Sequence, residues 1–110
     1  MSFVLTLPYT EPRLPNLPQL EPVAARLGVT FHGDPMQGTY RGPGVDGDYR
    51  FQPERISGTF AGHGVRGDFS WELAHLTITV SEKPFFIPES FVRARVAAGF
   101  DELCRELRTR

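Results

Sequence analysis

The stretch GTYRGPGVDGDYRFQ, Gly38 to Gln52, is written again twenty residues later as GTFAGHGVRGDFSWE, Gly58 to Glu72. Seven of the fifteen positions are identical, among them the three glycines of each G-x-G-V-x-G turn and the pair Asp48/Asp68. Three more exchange one aromatic for another: Tyr40/Phe60, Tyr49/Phe69 and Phe51/Trp71. The period reaches one step further back, where Phe31 aligns with Phe51 and Trp71. Each unit reads as strand, glycine-dense turn, strand. Alternation with period two puts Tyr49 and Phe51 on one face of the outgoing strand, and Phe69 and Trp71 on the equivalent face of the second. Two copies fall short of the roughly three that a solenoid or propeller requires. The repeat therefore predicts two equivalent hairpins within one sheet.

Working outward, residues 29–80 lack helical periodicity and alternate short runs of Val, Thr, Tyr, Phe and Trp with turn signals (GDP, GPG, QPE, GHG, LAH). That spacing predicts an antiparallel meander of about six short strands. Ahead of it, residues 1–10 hold a strand, SFVLTLPY, expected to end at Pro8. Residues 11–28 read as a proline-rich strap and a short helix. Pro12, Pro15 and Pro18 recur at the polyproline II period, but no basic residue is spaced for an SH3-type groove. Leu14, Leu17 and Leu20 are expected to pack the strap onto the domain. The short helix is placed at Glu21–Leu27, with Pro22 in its first turn and Gly28 ending it.

After LTITV the period changes again. Phe91, Val92, Val96, Phe100, Leu103, Cys104 and Leu107 fall at helical spacing, predicting an amphipathic helix over 88–108 with Pro88 and Glu89 at its start. The expected fold class is α+β: a twisted antiparallel meander sheet of six or seven strands, with the C-terminal helix packed on one face.

Composition narrows the functional classes. A chain of 110 residues supports one domain over 1–110, and a net charge of -1 with both signs dispersed argues against a nucleic-acid binder. The lone cysteine, Cys104, excludes an internal disulfide. The N-terminal segment has neither the basic region of a signal peptide nor the length of a membrane span, so the expected location is the cytoplasm.

No catalytic, metal or cofactor set emerges. Asp46 and Asp48 suggest a calcium loop, yet Arg66 replaces Asp46 in the second copy and the EF-hand ligand ladder is missing. A phosphate loop would need a helix directly after its glycines. The glycines could instead hold one edge of a cavity open to a ligand. His32, His63 and His75 form no zinc spacing. Cys104 lies on the apolar helix face beside Leu103 and Leu107, as a core residue would. In KPFFIP, Phe85, Phe86 and Ile87 are consecutive, so one turn cannot hide all three. Burial under the helix end is the expectation, and an outward contact patch the alternative.

The segment FAGHGVRGDFSWELAHLTITVSEKPFFIPESFVRARVAAGFDELCREL resembles the polyhydroxyalkanoic acid system proteins, in which a G-V-x-G turn (here Gly64–Gly67), two strands and a terminal helix recur. The likeness covers roughly Val29 to Leu107. The strap Glu11–Pro22 departs from it. The resemblance implies a non-enzymatic protein associated with polyester storage granules, and it carries no catalytic residues. A looser resemblance is to the helix-grip folds of lipid carriers, where a bent sheet wraps a C-terminal helix.

The functional expectation is a non-catalytic binding or interaction protein. Its candidate contact residues are Tyr49, Phe51, Phe69, Trp71, Phe85, Phe86 and Phe91, and its expected partners are a hydrophobic ligand or granule surface and a second copy in a homodimer. The alternatives are a carrier of a lipid-like ligand between helix and sheet, and an enzyme built on a histidine.

Overall fold

The structure is a computed structural model describing residues 2–109. The elements run β1 (Phe3–Tyr9), α1 (Leu17–Arg26), β2 (Thr30–Gly33), β3 (Gln37–Gly42), β4 (Val45–Gln52), β5 (Arg55–Gly62), β6 (Val65–Glu72), β7 (Ala74–Glu82) and α2 (Glu89–Arg108). The strands make one seven-stranded sheet in the order β1-β7-β6-β5-β4-β3-β2, every pair antiparallel. Strands β2 to β7 are the expected meander, and β1 adds to its far side against β7. Both helices lie on one face.

The repeat now has a physical meaning. On the helix-side face Tyr49 pairs with Gly38 on one side and Gly58 on the other, and Gly58 pairs onward with Phe69. One row along, Tyr40 faces Gly47 and Phe60 faces Gly67. A β-carbon on Gly67 would stand 2.8 Å from the Phe60 ring and 2.0 Å from the Thr79 carbonyl oxygen. On Gly47 it would stand 2.9 Å from the Tyr40 hydroxyl and 1.9 Å from the Thr59 carbonyl oxygen. Each of these glycines seats a ring from the next strand and lets two backbones close together, a space no other residue leaves. The repeated Thr and Asp occupy the opposite face, where Thr39 pairs with Asp48, Thr59 with Asp68, and Asp68 with Thr79.

Two expectations at the N-terminal side need correction. The strand does not stop at Pro8: β1 runs through it to Tyr9, because β1 is an edge strand where a missing N–H costs no ladder bond. The first helix begins at Leu17, four residues before the expected Glu21. Asn16 caps it, accepting from the Gln19 N–H while the Gln19 side chain accepts from the Asn16 N–H, each at 2.9 Å. Pro18 rather than Pro22 therefore occupies the first turn, and Pro22 sits inside the helix on its exposed side. The strap shortens to the residues before Asn16, and its leucines do pack inward, Leu17 and Leu20 fully and Leu14 in part. Gly28, at φ +84°, ends the helix as expected; its N–H bonds Ala25 O and the Val29 N–H bonds Ala24 O.

The second helix starts at Glu89 with Pro88 as its cap, and Arg105 and Arg108 lie in its last turn, complementing the helix dipole. Its apolar stripe is only half covered. Val92 is its one buried residue, while Val96, Phe100, Leu103, Cys104 and Leu107 are partly buried against the core. Phe91 leaves the stripe and is 55 % exposed. It lies on the flank of the helix in line with the exposed Arg95 and Gly99, while Val92 beside it turns to the core.

A candidate apolar cleft between sheet and helices

The incomplete cover leaves a cleft of about 520 Å³ between the sheet face, α1 and α2. That volume lies in the range of about 300–1,000 Å³ common to small-molecule sites. Its floor is the aromatic face of the repeat: Tyr49, Phe51, Phe69 and Trp71, joined by Phe31, Tyr40 and Phe60. Leu20 and Ala24 of α1 with Leu27 at its C-terminal cap form one wall, and Val96, Gly99, Phe100 and Leu103 of α2 the other. Arg95 is the one charged side chain on its lining among the described residues.

The rings are fixed by edge-on contacts and by hydroxyls bonded to the sheet. Trp71 meets Phe100 at 5.2 Å and Tyr9 at 5.3 Å between centroids, near perpendicular in both cases. Phe31 and Tyr49 meet at 5.5 Å in the same geometry. The Tyr40 hydroxyl reaches over Gly47 and donates to Thr59 O at 2.7 Å, and the Tyr49 hydroxyl donates to Asp34 O at 2.8 Å. Both phenols are pushed above their ordinary range, chiefly by burial; the carboxylates of Asp48 and Asp46 add to this at Tyr40, and those of Asp34 and Glu21 at Tyr49. They stay neutral and act as rigid lining. The Trp71 Nε1–H is buried with no hydrogen-bond partner. A buried donor left so costs about 1–3 kcal/mol.

Four of the candidate residues thus meet in one place, and three do not. Phe85 and Phe86, in the loop between β7 and α2, are 94 % and 72 % exposed, against the expected burial. Each turns its ring to the other at 5.7 Å, and Ile87 is the residue of the three that packs against the core. Lys83 shapes the loop by donating to Ile87 O at 2.8 Å, which pulls Ile87 inward and leaves the two rings out. Of the cleft residues missed by sequence reasoning, Tyr40 and Phe60 had a signal: they occupy matching places in the repeat, two residues after a glycine. Arg95 and Gly99 had none, because only the helix's lateral position decides what they face.

The histidines are dispersed over β2 (His32), the β5–β6 turn (His63) and β7 (His75). His75 Nε2 stands 3.7 Å from Glu72 Oε1 on the exposed β6–β7 turn, outside hydrogen-bond reach. The Cys104 thiol, half-buried, is pushed up by burial and by Asp101 against the lowering effect of Arg108. Among the described residues no cluster of three or more metal-ligating side chains occurs, and no helix is long and apolar enough to cross a membrane. A second hollow, of about 580 Å³, lies under the strap and is walled by Arg13, Asn16 and Gln19 together with prolines. It lacks the continuous apolar wall of the cleft. Comparison of the chain with family models, curated proteins and solved structures finds no match.

Proposed function

We propose that this is a non-catalytic binding protein that takes a small hydrophobic, lipid-like ligand into the cleft between the sheet and α2. One observation carries the reading: a cleft of about 520 Å³ opens between the helices and the repeat's aromatic face, where Phe31, Tyr40, Phe60 and Phe69 are only partly covered. Apolar surface held open in this way gains about 25 cal/mol per Å² when an occupant removes it from water. The arrangement is also the one that the helix-grip likeness implies. Trp71 is the chain's only tryptophan and lies on the cleft floor, so its emission reports occupancy. Titration with a fluorescent fatty acid, followed by displacement with unlabelled lipid, is expected to show saturable binding. Absence of both displacement and any Trp71 response at micromolar protein would sink this reading.

A second reading rests on Phe85 and Phe86. Two phenylalanines exposed at 94 % and 72 % on one loop, with Phe91 beside them in sequence at 55 %, form an apolar tip. That tip would seat on a hydrophobic surface such as a polyester storage granule, the partner implied by the family resemblance. Cosedimentation with polyhydroxyalkanoate granules should fall sharply in the double variant Phe85→Ser/Phe86→Ser, while the thermal midpoint stays near that of the parent. Retained sedimentation would remove the tip from the interaction. A homodimer, if formed, would use the outer edge of β1, whose seven residues make it the longer of the two sheet edges; β2 offers four. Sizing with light scattering distinguishes a dimer from a monomer.

A further inference from the structure

We propose that the ligand is an amphiphile with one carboxylate head, which Arg95 holds at the cleft mouth while the tail passes Gly99 onto the aromatic floor. The inference rests on the cleft being a binding site and goes on to say what enters it. Its first support is charge. Arg95 is the one charged side chain lining the cleft, and it forms no ion pair among the described residues. Its neighbours on α2 differ. Arg93 is bound to Glu89 at 2.8 Å with its guanidinium 5.0 Å from the centre of the Phe3 ring, and Arg105 is bound to Asp101. Two of the four arginines of α2 are paired within the helix, and of the two that are not, Arg95 and Arg108, only Arg95 lines the cleft.

The second support is independent of charge. Gly99 lies in the interior of a twenty-residue helix, where glycine weakens the helix relative to alanine. A β-carbon added there would meet nothing within 4 Å. The glycines of the sheet are each demanded by a close neighbour, and this one is not. It sits one helical turn beyond Arg95 on the same cleft wall, so the vacant space begins where the charge ends. An arginine followed after one turn by an empty glycine suits an anionic head followed by an alkyl tail. The carboxylate goes to Arg95 rather than to the Trp71 indole, because a buried anion facing a single neutral donor stays largely uncompensated. Arg95 offers a full charge and a two-pronged donor at the solvent boundary.

Decanoate and decan-1-ol share a tail and differ at the head, so calorimetric titration of both separates the two levels of the proposal. The parent protein is expected to bind decanoate about ten-fold more tightly than the alcohol, the size of one charge-assisted contact. Arg95→Gln should remove that preference and leave alcohol binding unchanged, with Arg95→Lys retaining part of it. Gly99→Phe should abolish binding of both ligands with no fall in thermal midpoint, since the ring fills space that is empty in the free protein. Equal affinity for acid and alcohol in the parent, or a preference that survives Arg95→Gln, would overturn the carboxylate assignment while leaving the cleft occupied. Undiminished binding in Gly99→Phe would overturn the entry route. If neither ligand binds, the cleft reading falls with it.

Discussion

The two copies of the repeat build the same sheet geometry and finish it with different chemistry. In the first, Tyr40 lies over Gly47 and bonds Thr59 O two strands from its own, and Tyr49 bonds Asp34 O. In the second, Phe60 lies over Gly67 and Phe69 over Gly58 with no hydroxyl to bond anything. The outer face differs too. Asp48 and Thr59 exchange side-chain bonds with each other's backbone N–H at 3.1 and 3.3 Å, whereas Asp68 and Thr79 form a regular ladder pair. Position explains the contrast. The first hairpin lies toward the β2 end of the sheet, and its rings are fixed by bonds to the backbone. The second lies toward β7, where Trp71 is gripped by Tyr9 and Phe100. What the repeat conserves between its own copies is therefore the glycine seat and the ring, while the means of fixing each ring is local.

The largest test removes the rings that differ most in their surroundings. Phe51→Ala and Trp71→Ala should each cost about 3–5 kcal/mol in denaturant unfolding, since both side chains are buried. A double-mutant cycle with Phe100→Ala separates them. Trp71 and Phe100 are in contact and should couple by about 0.5–3 kcal/mol, while Phe51, which shares no ring contact with Phe100, should be nearly additive. Equal coupling would mean that the helix grips both copies alike. The glycine seats come next. Gly47→Ala and Gly67→Ala should each cost about 3 kcal/mol, because each β-carbon would be driven into the neighbouring carbonyl at about 2 Å. A large difference between the two would break the equivalence of the copies at the backbone.

Much of this was legible before any coordinates. The G-x-G-V-x-G turns, the period-two aromatics and the stripe from Val92 to Leu107 specify the meander, the core face and α2, because each is a local pattern with one economical fold. Three features were not. The start of α1 is hidden because prolines at a spacing of three fit an extended strap as well as a helix entrance, and the deciding signal is the short Asn16–Gln19 box. Phe91 has nearly the periodicity of a core residue, yet it lies on the flank of the stripe, in line with the exposed Arg95 and Gly99 at i+4 and i+8, while its neighbour Val92 takes the core position. The cleft itself depends on how far the helix stands from the sheet, a distance set by the bulk of Trp71, Phe100 and Val92 together and by no single residue. Four of seven candidate contact residues line it for a reason that sequence did contain, their shared phase on two equivalent strands.

A smaller effect separates the hydroxyls. Tyr40→Phe should cost about 1 kcal/mol at neutral pH through the lost bond to Thr59 O. Phe60→Tyr is the reverse experiment. If the copies match, its new hydroxyl finds Thr79 O, the carbonyl beside Gly67, and stability rises by a similar amount. The alkaline limb carries the same information. Burial, then Asp48 and Asp46, hold Tyr40 protonated well above its ordinary value of 10.0. The unfolded chain gives up that proton near the ordinary value and the folded chain keeps it. Stability is thus fully present below about pH 10 and is lost as pH rises through the higher folded value. Urea midpoints measured from pH 9 upward should fall less steeply in Tyr40→Phe, and an unchanged slope would remove Tyr40 from the titration.

The smallest expected effect lies at the turn tips, where the copies look least alike. The first tip is Pro43–Gly44, with Gly44 at φ +73° and proline's φ held negative by its ring, the pattern of a type II turn. The second is His63–Gly64 at φ +54° and +81°, a type I′ turn that follows the twist of its strands. A histidine with positive φ is strained where a proline is relaxed, a difference that argues against exchanging the tips. The second residue of each turn decides otherwise. Gly64 already holds the φ that a type II turn requires at that place, so His63→Pro must swing only residue 63, from φ +54° to proline's negative φ with its ψ turning alongside, to reach the tip geometry of the first copy. The cost of the altered twist is offset by relief of the left-handed histidine and by the stiffer unfolded chain. His63→Pro should therefore shift stability by less than about 1 kcal/mol in thermal unfolding. A loss several times larger would show that the second hairpin depends on its tip in a way the first does not.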